Sequence, residues 1–532
     1  MTRLTSAQQT LIAPYVSNLE DDVFAVSGLP EEVIAVLFAY YSRSRDDLRT
    51  SLARLLADQE LAVDTEAPRK FGLAVDKARA FHEKWVVGYG HASVAEHAIV
   101  HLALENVSIL ASKAIEDMRL SSFTEKSTRY VVFTEGSFYT PGELPLEFQT
   151  DYVESCHQLF RTYLRLVPAV TSKLESKYPR PDSQSQTEYA AIIRARALDL
   201  VRGLLPAGTI TNLGLTANAR TLAAGISKLA VSRIAEVRDL SAAMRSAGQT
   251  VVPTLLRHSQ PSEYLDNLSA HSRYVADSLV AKAQSRSDGS NEFEELIRDS
   301  RAKNPVRFVR HDEIASIPIA VALACDGEAP LPMAEEMLGL FDLLVQSEDI
   351  AGYSEQSMPK TDVRVGVAVV RDALHGRGSH DQVPRAFEHA HMTFEMDLDY
   401  GAYRDLARHR MLTPAHRMLT CNLGYDVPEG LSAMGLADDY RNALDEAAAV
   451  WRKLQSYDPV TAQYAVPLGY KTRVLWTLNL REAIHVIELR SSKQGHASYR
   501  RIAQKLYEHI VRLYPWLHDL IRVDLNEYDD AR

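Results

Sequence analysis

Two stretches decide how this chain is organised: LPAGTITNLGLTANAR at 205–220 and VPLGYKTRVLWTLNLR at 466–481. Pro206, Asn218 and Arg220 in the first fall on Pro467, Asn479 and Arg481 in the second, at a constant offset of 261. A repeat is sought before any motif, because missing it misassigns the whole fold. Upstream, GHASVAEHAIVHLAL (90–104) echoes DQVPRAFEHAHMTFEM (381–396) through Glu-His at 96–97 and 388–389, at an offset of 292. The larger offset puts about thirty extra residues into the first copy, between 135 and 190. Between the copies runs AQSRSDGSNEFEELIRDSRAKNP (283–305), whose Ser, Asp, Gly, Asn and charge are linker composition. The expected domains are therefore 1–282 and 306–532, joined by 283–305.

Around this frame the apolar residues set the class. VSILASKAIEDMRLSSF (107–123) and ISKLAVSRIAEVRDLSAAM (226–244) space them at three and four, which predicts amphipathic helices, and 481–514 reads as one long helix or two. HMTFEMDL and RYVVFT are β-branched, aromatic or alternating, which predicts strands. The class is α+β, with two related domains in tandem. A length of 532 residues gives ample core for this. With 59 Lys and Arg against 70 Asp and Glu, the net charge of −11 argues against a nucleic-acid or anionic-membrane binder, since no global positive field attracts phosphates. An anionic ligand then needs a local arginine cluster. Cys156, Cys325 and Cys421 form no disulfide framework or zinc signature, and no apolar run reaches the ~18 residues needed to span a bilayer. The expectation is a cytoplasmic protein.

Four constellations carry candidate chemistry. RHRMLTPAHRMLT (408–420) sets Arg408, His409 and Arg410 at a helix end that Pro414 should stop near Thr413. Such guanidinium forks suit phosphate and pyrophosphate. In FTEKSTRY (123–130), Glu125, Ser127 and Arg129 alternate and so share one edge if the segment is extended. In NLREAIHVIELR (479–490), Arg481 and His485 are i,i+4 neighbours, and Arg490 lies on another face, where it reaches solvent or meets an acceptor. His91, His97 and His101 beside Glu96 sketch a metal site, but spacing fixes no third ligand, and no metal is expected.

Taken as an ordered set, these motifs resemble the flavin-dependent thymidylate synthase family, present here as a tandem duplication over about 450 residues. That family carries Arg-His-Arg-x-x-Ser continued by Glu-x-Ser-x-Arg-Tyr, preceded by Gly-His-x-Ser/Thr-x-x-Glu-His and followed by Leu-Pro, Asn-x-Arg and a further helix arginine. The copies depart from it in complementary ways. The first reads Glu116-Asp117-Met118-Arg119 in place of Arg-His-Arg, but keeps Glu125, Ser127, Arg129, Tyr130 and the phosphate arginine Arg202. The second keeps Arg408, His409 and Arg410, with Thr413 for serine, and Arg490, where the first has Leu229. Its continuation has decayed to His416, Met418 and Thr420, and Gln463 stands for Arg202.

The resemblance implies one composite site. Glu125, Ser127, Arg129, Tyr130, Arg202, Asp405 and Arg408 would bind a pyrimidine nucleotide, dUMP or a relative, and Arg490 would stabilise charge on its ring. His91, Ser93, Glu96, Arg408, His409, Arg410, Asn479, Arg481 and His485 would hold FAD, with NADPH and methylenetetrahydrofolate as co-substrates. Asp405 replaces a usual glutamine, which leaves open a different pyrimidine or a ligand with an amino group. The family is homotetrameric, so a duplicated chain implies a homodimer. Two alternatives remain: a non-catalytic nucleotide- or flavin-binding relative acting as a sensor or partner subunit, and a metal-dependent hydrolase.

Overall fold

The structure is a computed structural model that describes residues 4–41, 46–57, 72–88, 92–257, most of 259–275, 305–312, 315–326 and 360–528. By packing, the chain forms two compact units that interleave in sequence: Met1–Lys126 with Ile210–Asp288, and Ser127–Thr209 with Gly289–Arg532. The repeat and the packing thus divide the chain differently. Residues 127–209, which belong to the first repeat, pack with the second. The 283–305 segment lies, apart from Pro305, outside the described residues, and so does His91.

In the first unit, β1 (Ile99–Ser108), β2 (Ser121–Glu125) and β3 (Ile210–Asn218) form an antiparallel sheet in the order β1-β3-β2. Each long strand runs straight into a helix through a side-chain cap, which satisfies a backbone donor the helix leaves free. Ser108 accepts from Ala111 N at 2.9 Å and starts the helix Ile109–Glu116; Asn218 accepts from Thr221 N at 2.8 Å and starts Ala219–Ala230. The alternation of β3 buries Leu213, Leu215 and Ala217 against Leu222 and Ile226, in a core that also takes Val33, Val36 and Leu52. Met118 fills a gap over Gly225, where a Cβ would fall 2.0 Å from its sulfur.

The second unit repeats the plan. Its strands β4 (Val306–His311), β5 (His391–Asp399), β6 (Thr413–His416) and β7 (Lys471–Asn479) order as β4-β5-β7-β6, all antiparallel. Asp399 accepts from Ala402 N at 2.7 Å and opens the helix Tyr400–Leu406; Asn479 accepts from Glu482 N at 2.8 Å and opens Leu480–Arg490. Asn218 and Asn479, paired by the 261 offset, therefore do the same work. The protein is α+β, built from two related halves.

Within this unit the two Leu-Pro segments meet in a symmetric exchange of backbone hydrogen bonds. Ala207 N donates to Val466 O and Leu468 N to Leu205 O, both at 2.8 Å; Gly208 N donates to Tyr464 O at 2.8 Å and Gly469 N to Gly203 O at 2.9 Å. Each bond maps onto its mate by the repeat offset, so the copies contact as a self-complementary pair, the pattern of a two-fold interface. Gly203 permits the approach, since a Cβ there would lie 2.1 Å from the Tyr440 hydroxyl and 3.2 Å from Gly469 Cα. The extra length of the first copy becomes the 32-residue helix Leu146–Lys177, packed on Ala437–Tyr457, and a further helix, Gln186–Val201.

Several local expectations are corrected. The helix expected over 107–123 shortens to Ile109–Glu116, because its ends are taken by β1 and β2. The one over 226–244 splits between Ala219–Ala230 and Ala235–Gln249; of the two readings of 481–514, the structure takes two helices, Leu480–Arg490 and Ala497–Leu513. RYVVFT is turn and irregular chain, having no partner strand. Pro414 terminates no helix at Thr413; the helix ends at Leu406, and Pro414 lies in the edge strand β6, where its missing N–H costs no ladder bond on the open side.

Candidate active site

The second unit gathers charged side chains from both copies. Asp199 sits in the last turn of the helix Gln186–Val201, and Arg202 follows in the 3-10 turn Arg202–Leu204. Arg129 lies in a turn rather than on a strand: β2 ends at Glu125, and the Ser127 hydroxyl accepts from Arg129 N at 3.1 Å. The expected common edge of Glu125, Ser127 and Arg129 is therefore not formed. Glu125 remains in the first unit, accepting from Ser112 Oγ at 2.7 Å, and Tyr130 is exposed.

Arg129 grips Asp199 bidentately, Nε to Oδ1 at 2.6 Å and Nη2 to Oδ2 at 2.7 Å, and its Nη1 donates to the Tyr499 hydroxyl at 2.9 Å. Both members of the pair are nearly buried, so neither can lose the other cheaply. Burial opposes the charge on Arg129, but the Asp199 carboxylate outweighs it and raises the guanidinium pKa. Burial likewise pushes Asp199 up, yet Arg129, His496 and Arg202 hold it below the usual carboxylate range.

Arg202, with a side chain 4% exposed, donates from Nη1 to Asp405 Oδ2 at 2.9 Å. Its Nη2 is buried and makes no hydrogen bond. A buried, unbonded guanidinium nitrogen is a costly donor in want of an acceptor. Asp405 closes the helix Tyr400–Leu406. Burial would lift its carboxyl, but Arg202, Arg129 and Arg408 hold it at about 2.

A second chain of contacts runs through the Arg-His-Arg segment. His409 Nδ1 lies 2.9 Å from Glu482 Oε1, and its Nε2 accepts from Arg490 Nε at 2.9 Å. The two contacts fix one tautomer, with the proton on Nδ1. Burial lowers the His409 pKa, against the pull of Glu482 and with the help of Arg490 and His485. Arg490 and Arg129 then converge on one ring, their Cζ atoms 5.5 and 5.7 Å from the Tyr499 centroid. Three guanidinium groups, Arg129, Arg202 and Arg490, thus gather with the carboxylates Asp199, Asp405 and, through His409, Glu482, and the exposed Arg408 acts on Asp405 from a distance. His496 supports the group from beneath: its Nε2 donates to Asp199 O at 3.0 Å, and its Nδ1 accepts from Ser498 N at 3.2 Å, capping Ala497–Leu513.

The remaining expected residues are placed as follows. Arg481 is fully engaged, with Val383 O at 2.9 Å, Glu388 at 3.0 Å and Gln382 at 2.9 Å, and Asn479 spends its carbonyl on the helix cap. Glu96 pairs with Arg220 as Glu388 pairs with Arg481, so the two ion pairs, one in each copy, serve as matched braces. Ser93 is exposed in the first unit, in the 3-10 turn Ala92–His97. Arg408, Arg410 and His485 are exposed in the second, His485 with its ring 5.3 Å from that of His409. Gln463, in the place of Arg202 in the second copy, is buried and accepts from Leu419 N at 3.0 Å, a structural replacement. His97 stacks on Phe38 at 4.7 Å and His101 meets Thr216 Oγ1 at 2.8 Å; among the described residues no cluster of three or more metal-ligating side chains exists. Nor, among them, is any helix long and apolar enough to cross a membrane.

Sequence reasoning missed Asp199, Glu482, His496 and Tyr499. Asp199 left a readable trace, a lone acid within the apolar run of ALDLVRGLLP. Glu482 left none, because an acid three residues after a capping Asn reads as an ordinary helix start.

A strand–cap–helix unit present twice, with an arginine cluster drawn from both copies, defines a duplicated fold with one elaborated site. The sequence model of the thymidylate synthase complementing protein family matches residues 34–254 and 344–516, and the chain belongs to that family. A UPF0159 protein of Chlamydia muridarum is 32% identical over 99% of this chain and 96% of its own length, and one of Chlamydia pneumoniae is 32% identical over the same shares. The flavin-dependent thymidylate synthase of Clostridium tetani is 28% identical over 33% of this chain and 69% of its own.

Proposed function

We propose that the second unit binds a pyrimidine nucleotide and methylates dUMP, or a close relative, at C5, with methylenetetrahydrofolate as carbon donor and NADPH as reductant. The observation that carries this reading is the convergence of Arg129, from the first copy, and Arg490, from the second, on the Tyr499 ring. Arg202 presents its unbonded Nη2 to the phosphate. Charge-assisted bonds to phosphate are each worth about 1.5–3 kcal/mol. Arg490 keeps its Nη fork for the pyrimidine ring, where it stabilises negative charge as C5 becomes nucleophilic.

The exposed donors Arg408, Arg410 and His485 have the chemistry that the diphosphate of FAD requires, and they would hold it. FAD, when bound, supplies the redox chemistry, which no side chain here can perform. His409 and Arg481 support the fold and the arginines, since their ring and guanidinium nitrogens are bonded to the protein, and Asn479 gives its carbonyl to the helix cap.

The test is tritium release from 5-tritiated dUMP by the purified chain supplied with FAD, folate and NADPH, together with calorimetry of dUMP. Release with saturable binding supports the reading, and no binding at millimolar dUMP overturns it. Binding of dUMP and flavin without release would identify a non-catalytic relative. Two copies per chain in a homotetrameric type of enzyme also lead us to expect a homodimer, which light scattering reads as twice the chain mass.

A further inference from the structure

We propose that His409 is a positioning residue: anchored by Glu482, it accepts from Arg490 Nε and so aims the Nη1 and Nη2 fork of Arg490 at the substrate. This rests on the reading of Arg490 as the ring-facing arginine and reassigns His409 away from flavin contact.

The geometry makes the case. An arginine has three donor nitrogens, and a flexible stem lets them point many ways. Fixing Nε removes that freedom at one end and leaves the planar fork at the other, the arrangement that reads a pair of adjacent acceptors on a ring. The acceptor that fixes it must itself be a neutral base, since a carboxylate would cancel the charge Arg490 is to lend. Imidazole meets this need only in one tautomer, and the buried Glu482, 2.9 Å from Nδ1, selects it. Glu482 is positioned in turn by Asn479, whose side chain holds its backbone N–H at 2.8 Å. The charged and titratable groups about His409 are Glu482, His485 and Arg490 on the neighbouring helix and Arg408 and Arg410 beside it in the chain. The imidazole is 3% exposed, so water does not compete for Nε2. The first copy has lost this device whole: Glu116-Asp117-Met118-Arg119, without a histidine, stands for the Arg-His-Arg segment and Leu229 for the arginine.

The experiment uses the full chain with two readouts. In histidine-labelled wild-type protein, nitrogen NMR near neutral pH should show His409, assigned through His409→Gln, as the neutral Nδ1–H tautomer with a hydrogen-bonded Nε2; this reads the relay whether or not dUMP binds. In calorimetry, His409→Phe, which has no acceptor, should weaken dUMP about tenfold, whereas His409→Gln, which keeps one, should stay within about threefold. Flavin bound per chain should be unchanged in both. Glu482→Gln should retain affinity and Glu482→Ala lose it, which gives a second route should His409→Phe fail to fold. Combining His409→Phe with Arg490→Ala should add no further loss. An Nε2–H tautomer, or a His409→Phe protein that loses flavin but keeps its dUMP affinity, overturns the proposal. If wild-type protein binds no dUMP, the functional reading fails and the tautomer alone decides the relay.

Discussion

Arg202 and Asp405 form a nearly buried ion pair, Nη1 to Oδ2 at 2.9 Å, that leaves the other terminal nitrogen of the arginine without a partner. The carboxylate keeps the guanidinium in place and also occupies part of its charge. On the proposed reading, a phosphate entering this corner would meet an arginine that is half neutralised and still owed one hydrogen bond.

Asp405→Asn keeps an acceptor for Arg202 and removes the negative charge. Like charges several ångströms apart at a partly screened site cost on the order of 1–2 kcal/mol. The variant should therefore bind dUMP about tenfold more tightly at low salt, with a steeper salt dependence, measured by calorimetry at two ionic strengths. Unchanged or weaker binding would show that Asp405 assists the ligand rather than restraining it.

The same carboxylate sets an acid limit on stability. Asp405 is held at about 2, against an ordinary value of 3.8, and Asp199 is lowered as well. In the window between these values the unfolded chain binds more protons than the folded one, so stability rises with pH there. It should be fully present above pH 3.8 and drain away as the pH falls toward 2. Urea midpoints followed through this range should slope in wild type and slope less in Asp405→Asn.

Removing Arg129 strands a buried carboxylate. Arg129→Met should cost about 3–5 kcal/mol of stability, because Asp199 then loses the counter-charge bonded to it and keeps only the more distant pull of Arg202 and His496. Replacing Asp199 by Leu in the same protein should recover most of it, since a well-packed apolar pair substitutes for a buried ion pair. Denaturant unfolding of both variants checks this, and a double variant no more stable than the single one would deny the coupling.

Arg490→Ala should lower dUMP affinity about tenfold and turnover by about a hundredfold or more, as expected when a group that stabilises transition-state charge is lost. Tritium release gives turnover and calorimetry gives affinity. Lost affinity with unchanged turnover would reduce Arg490 to a ground-state contact.

Tyr499→Phe keeps the ring beneath both guanidinium groups and loses only the acceptor for Arg129 Nη1. It should cost about 1 kcal/mol of stability. Tyr499→Leu removes both ring contacts, each worth about 0.5–2 kcal/mol, and should cost visibly more. Equal melting temperatures for the two variants would show that the shared ring contributes nothing.

The amino-acid sequence by itself determined the duplication, the α+β class and the division of arginines between copies. All of these are local or repetitive: Pro206, Asn218 and Arg220 announce the repeat by their spacing to Pro467, Asn479 and Arg481. Only the tertiary structure decided that residues 127–209 pack with the second copy, that Asp199 holds Arg129, and that His409 faces Glu482 and Arg490 rather than solvent. Those pairings join residues 70 or more positions apart. Nothing in a local pattern says which buried carboxylate will find which guanidinium, because that depends on how the helices close on one another around Tyr499.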